Sequence, residues 1–124
     1  MAKKILIIDD SALMRRVISD IIKTNKQYEV ADFARDGLEG FDRIVSHPKM
    51  YDAIILDINM PKMNGLELLE MLQKNHIQET VIVVSTVAKE GAKETIKALE
   101  LGAFDFVTKP ENFIEAKGED FKQR

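Results

Sequence analysis

Three aspartates sit where short apolar runs end. Asp9 and Asp10 follow Lys4-Ile5-Leu6-Ile7-Ile8, and Asp57 follows Ala53-Ile54-Ile55-Leu56. Ser85-Thr86 comes after Val81 to Val84, and Lys109 after Phe106-Val107-Thr108. Carboxylates gathered at one place repel one another, and a hard divalent cation relieves the repulsion. Oxygen ligands favour magnesium, which keeps several waters and takes one or two protein carboxylates plus a phosphoryl oxygen. With Lys109 to neutralise a second phosphoryl oxygen, this set could perform metal-assisted phosphoryl transfer. Singly, each residue has a plainer role. Asp10 or Ser11 could cap a helix, Asp57 could shape a turn before Pro61 and Gly65, and Lys109 could be solvated surface. What makes a site of them is that one fold would bring them to one edge.

The apolar runs at 4–8, Val30 to Phe33, Ala53 to Leu56, Val81 to Val84 and Phe106 to Thr108 predict five strands. Ile54-Ile55-Leu56 and Val81 to Val84 are apolar on both faces, as strands within a parallel sheet are. Helical period fills the intervals. Leu13, Val17, Ile18, Ile21 and Ile22 form one stripe, with Arg15, Arg16, Ser19, Asp20 and Lys23 opposite. A weaker stripe of Leu38, Phe41 and Ile44 lies within Gly37 to Ser46. From Gly65 to Asn75, Leu68, Leu69 and Leu72 face inward, and Asn64 with Glu67 predicts a cap. From Gly91 to Leu101, Ala92, Ile96 and Leu99 face inward, and Gly102 ends the helix. Alternation of strand and helix with right-handed crossovers predicts an α/β fold, a doubly wound parallel sheet with helices on both faces. Such sheets bind ligands at the carboxyl ends of their strands, where Asp9, Asp10, Asp57, Ser85 and Lys109 all fall.

Composition removes several alternatives. At 124 residues, 45% hydrophobic and 31% charged, the chain has the size and balance of one folded domain. Its apolar runs are too short to span a bilayer, and Met1-Ala2-Lys3-Lys4 leads directly into a strand without a secretory signal, so a cytoplasmic location is expected. There is no cysteine for disulfide or thiolate chemistry. A net charge of -3 with interspersed signs offers no footprint for nucleic acid. No Gly-x-Ser-x-Gly elbow is present, and His47 and His76 lie in polar, loop-like surroundings. Asp9-Asp10-Ser11 stands where a dinucleotide-binding fold needs a glycine-rich turn. Asn59 stands where an aspartate-nucleophile phosphatase of the haloacid dehalogenase type needs a second acid. Residues 1–110 read as the domain, and the polar stretch 111–124, with Phe113, Ile114 and Phe121, as the start of a last helix or a linker.

Ile5 to Asp10, Asp57-Ile58-Asn59-Met60-Pro61 with Gly65, Ser85, and Lys109-Pro110 together resemble the receiver domain of bacterial two-component response regulators, over residues 4–110. Asp10-Ser11-Ala12-Leu13-Met14-Arg15, Glu90-Gly91-Ala92 and the run from Ala98 to Pro110 resemble most the regulatory domain of chemotaxis protein-glutamate methylesterases. The resemblance implies a flavodoxin-like five-stranded sheet of order 2-1-3-4-5. It also implies phosphorylation of Asp57 by a chemotaxis histidine kinase, with Mg2+ held by Asp10, Asp57 and the Asn59 backbone carbonyl, and by Asp9 through water. Lys109 and Ser85 would contact the phosphoryl group, and Ser85 and Phe106 would form the switch. Phe106 replaces the tyrosine many members carry, which puts a tyrosine-type switch in question. Lys109-Pro110 is a candidate cis bond. The output would be a methylesterase domain beyond this chain. A stand-alone chemotaxis regulator or a transcription-factor receiver would carry the same site.

Overall fold

The computed structural model describes residues 2–58, 60, 62–85 and 91–108, with side chains at all of these except 85, 91–95, 106 and 108. The expectations for Asn59, Lys109-Pro110 and residues 111–124, and for the side chains of Ser85, Ala92 and Phe106, lie outside that description.

The elements run β1 (Lys3–Ile8), α1 (Ala12–Lys23), β2 (Tyr28–Ala34), α2 (Gly37–Ser46), β3 (Ala53–Asp57), α3 (Gly65–Lys74), β4 (Val81–Ser85), α4 (Gly91–Glu100) and β5 (Asp105–Thr108). The strands join in the order β2-β1-β3-β4-β5, and every pair is parallel. The inner strands β1 and β3 are covered on both faces, so their side chains divide between two cores. Ile5 and Ile7 pack with Met14, Val17 and Ile18 of α1 on one side. Leu6, Ile8, Ile54, Leu56 and Val83 pack on the other with Ile44 of α2, Leu68, Leu69 and Leu72 of α3, and Ala98 of α4.

Pairing of β1 with β2 skips Ala31, since Ile5 faces Val30 and Leu6 faces Asp32. Such a bulge puts consecutive residues on one face. Ala31 joins the larger core, and Asp32 accepts a hydrogen bond from the Tyr51 hydroxyl at 3.2 Å and an ion pair from Arg43 at 3.5 Å.

The α4 stripe is rotated from the expected one, and those of α1 and α2 differ from expectation at their first position. In α1 Val17 and Ile18 are buried and Ile21 and Ile22 pack beside them as expected, but Met14 takes the inward place of Leu13, which is 42% exposed. In α2 Ile44 is buried and Phe41 packs against the core as expected, whereas Leu38 is 51% exposed and Gly37 and Gly40 are buried. In α4 Ile96 and Leu99 are exposed, and Ala98, about 200° round the helix from Ile96, is fully buried. Where α2 and α4 come close to their neighbours, small residues face inward and larger apolar ones are left on the flanks. The α3 stripe and its capping box agree with expectation, with Asn64 and Glu67 bonding each other's backbone amides at 2.9 and 3.0 Å.

Candidate functional site

Neighbouring strands β1 and β3 end together, with Ile8 opposite Leu56. The next residues, Asp9 and Asp57, are therefore adjacent at the carboxyl edge, only 1% and 5% exposed. Asp9 is fixed by its own backbone: its amide donates to Ala34 O at 3.0 Å, and its Oδ1 accepts the Ser11 amide at 2.9 Å. That turn starts α1, where Ser11 is the cap and its hydroxyl oxygen accepts the Met14 amide at 3.1 Å. Asp10, between them, is exposed toward solvent.

Carboxylate oxygens of Asp9, Asp10 and Asp57 lie within 4.8 Å of one another. Oxygens on opposite sides of a magnesium ion with bonds of about 2.1 Å would be about 4.2 Å apart, so the cluster has the span for one such ion, with a water reaching any oxygen that lies farther out. Buried carboxylate charge is costly unless it is compensated. The donor set of oxygens alone suits magnesium or a similar hard cation rather than a soft one.

Two residues outside the expected ligand and switch set support it. Arg15 was placed on the outer polar face of α1, but its Nη1 donates to Asp9 O at 2.6 Å and brings positive charge to the acidic turn. Gly65 starts α3 as expected and is one of the residues that carry the receiver resemblance. Its amide donates to Ile58 O at 2.8 Å, and a β-carbon there would lie 2.3 Å from Asp57 O, so the chain beyond Asp57 turns back on itself as only glycine allows. Their sequence signals are an arginine in the first turn after the acidic pair, and a glycine eight positions after Asp57.

At the same edge, Asp57 pairs with Val84, and the backbone of Ser85 closes β4 opposite Thr108 of β5. Phe106 faces Val83 in the register, one strand away from β3. His47 and His76 are both exposed and remote from the cluster in the fold, at the end of α2 and after α3. A hollow of about 490 Å³ is lined by Leu69, Leu72, Val81 and Leu101 at the amino end of β4, away from the acidic edge. Open α/β sheets bind at the carboxyl edge, and the acidic cluster is there.

The family model for the response regulator receiver domain matches residues 5–117. The chain belongs to that family. A protein-glutamate methylesterase/protein-glutamine glutaminase of Pyrococcus horikoshii is 42% identical over 119 residues, covering 96% of this chain and 32% of that protein. The chain thus spans about a third of the length of the curated relatives it matches. The response regulator domain of Thermotoga maritima CheB superposes with a TM-score of 0.82 at 38% identity, covering 99% of this receiver domain and 93% of that chain. A CheX-CheY-BeF3-Mg+2 complex from Borrelia burgdorferi superposes with a TM-score of 0.79 at 29% identity, over 92% of this receiver domain and 83% of that chain. Among the described residues, no helix is long and apolar enough to cross a membrane.

Proposed function

We propose that this receiver domain accepts a phosphoryl group on Asp57 from a chemotaxis histidine kinase and thereby controls an attached methylesterase domain. The observation that carries the reading is the convergence of Asp9, Asp10 and Asp57 within 4.8 Å at the carboxyl edge of β1 and β3. Family membership over residues 5–117 supports it, and the identity to methylesterases supports the output.

Asp10 and Asp57, with the backbone carbonyl of Asn59, would hold Mg2+, and Asp9 would reach it through water. When bound, magnesium offsets the carboxylate charge and draws in a phosphoryl oxygen. A carboxylate oxygen of Asp57 attacks the phosphorus of the kinase phosphohistidine in line. The new P–O bond forms as the P–N bond breaks, and its electron pair returns to the imidazole, which takes up a proton. Lys109 neutralises equatorial charge, and the Ser85 hydroxyl donates to a phosphoryl oxygen. Water later attacks the acyl phosphate, releasing phosphate and restoring the Asp57 carboxylate. Ser85 and Phe106 relay the change by biasing an existing equilibrium. Residues 1–110 form the working unit, 111–124 lead toward the output domain, and the protein acts in the cytoplasm, where its kinase and receptors are reached.

Intact-mass measurement after incubation with acetyl phosphate tests the acceptor. The natural chain should gain one phosphoryl group when magnesium is present and none with chelator, and Asp57→Asn should gain none. An unmodified natural chain would remove the reading.

A further inference from the structure

The chain that follows Asp57 is held in place from outside its own loop, by the first residue of α2. Gly37 is buried, and its amide donates to Met63 O at 2.9 Å. A β-carbon at Gly37 would stand 2.4 Å from that oxygen and 2.7 and 2.8 Å from Cγ and Cβ of Met63. A carbonyl oxygen cannot swing aside as a side chain can, so any residue larger than glycine must shift the start of α2 or the backbone at Met63, in the loop between β3 and α3.

The far end of that loop is tied by the Gly65 amide to Ile58 O. Its near end is Asp57. The helix that holds it is itself seated on the strand that delivers Asp9. Asp36 caps α2 by accepting the Glu39 amide at 2.9 Å, and at Gly40 the helix comes so near β1 that a β-carbon would meet Ile8 Cδ1 at 2.5 Å. Ile8 precedes Asp9 in the chain. Helix α2 thus stands between β1, which it meets at Gly40 through a side chain that can yield, and Met63, which it meets at Gly37 through backbone.

We propose that Gly37 is a positioning residue of the phosphoryl-acceptor site. It acts through Met63, setting where the loop after Asp57 stands relative to the carboxylates on β1. The proposal rests on the reading of Asp57 as acceptor. It makes metal binding and acyl-phosphate formation depend on a helix that supplies no ligand.

The experiment compares the natural chain with Gly37→Ala, Gly40→Ala and Asp36→Ala. In each, Mg2+ affinity is titrated by amide resonances, the rate of acetyl-phosphate labelling is followed by mass, and the melting point is recorded. Gly40→Ala meets only the Ile8 side chain at its three nearest atoms, which can yield. It should lower the melting point while Mg2+ affinity and labelling rate stay within about twofold of the natural chain. Gly37→Ala should weaken Mg2+ binding and slow labelling about tenfold, a loss in keeping with a sub-ångström displacement of reacting groups. Asp36→Ala, which loosens the cap without a clash, should shift both in the same direction by a smaller factor, and it decides the matter if Gly37→Ala does not fold. Unchanged affinity and rate in Gly37→Ala, or in Asp36→Ala where Gly37→Ala does not fold, would overturn the proposal. So would equal losses in Gly40→Ala. Failure of the natural chain to be labelled at all would instead remove the acceptor reading.

Discussion

Arg15 and Asp10 carry opposite electrostatic weights at the same turn. The guanidinium is bonded to Asp9 O at 2.6 Å, beside three carboxylates, while Asp10 adds negative charge to a cluster that already contains two buried acids. Asp10→Asn should therefore raise stability in chelator by up to about 1 kcal/mol and lose most of the magnesium-dependent gain, measured by urea unfolding with and without the ion. Arg15→Met, which keeps the aliphatic stem, should lower stability by about 1 kcal/mol, and by less when magnesium is present. Tyr51 tests a site remote from this chemistry. Burial first, then the neighbouring Asp32 charge and their hydrogen bond, push its hydroxyl up from 10.0 to about 12. A phenol whose folded value is raised contributes stability that is complete below pH 10 and is lost as pH rises through about 12. Subtracting the alkaline stability profile of Tyr51→Phe from that of the natural chain should isolate this fall between those limits.

Among the elements, α3 was legible because its signals are local. Asn64 and Glu67 are three residues apart, and their reciprocal bonds need nothing from the rest of the chain. Asn64→Ala should cost about 1 kcal/mol by chemical denaturation, the ordinary loss of a cap. Leu13, Leu38 and the α4 residues Ile96 and Leu99 face outward against expectation, since a hydrophobicity pattern weighs them heavily and Gly40 and Ala98 lightly. In α2 and α4 packing reverses those weights because close approach to neighbouring elements selects small side chains. Ala98→Leu should destabilise by about 1–3 kcal/mol through overpacking, whereas Ile96→Lys should change stability by less than about 0.5 kcal/mol.

At the scale of the molecule, binding of magnesium to the folded state alone ties site to stability. At a free concentration one hundred times the dissociation constant the gain should be about 2.7 kcal/mol, seen as a higher melting point that chelator reverses. Fold class, strand ends and the acidic edge were determined by the sequence, because alternation of apolar runs with helical period is a local property and residues at strand ends inherit one edge. Tertiary structure decided the rest. Asp9 and Asp57 are 48 positions apart, and their approach within 4.8 Å exists only once β1 and β3 pair. The aim of Arg15 and the contact of Gly37 with Met63 likewise arise from chain segments crossing at close range. No window of sequence encodes such distances, since they are set by how far each helix can descend onto the sheet.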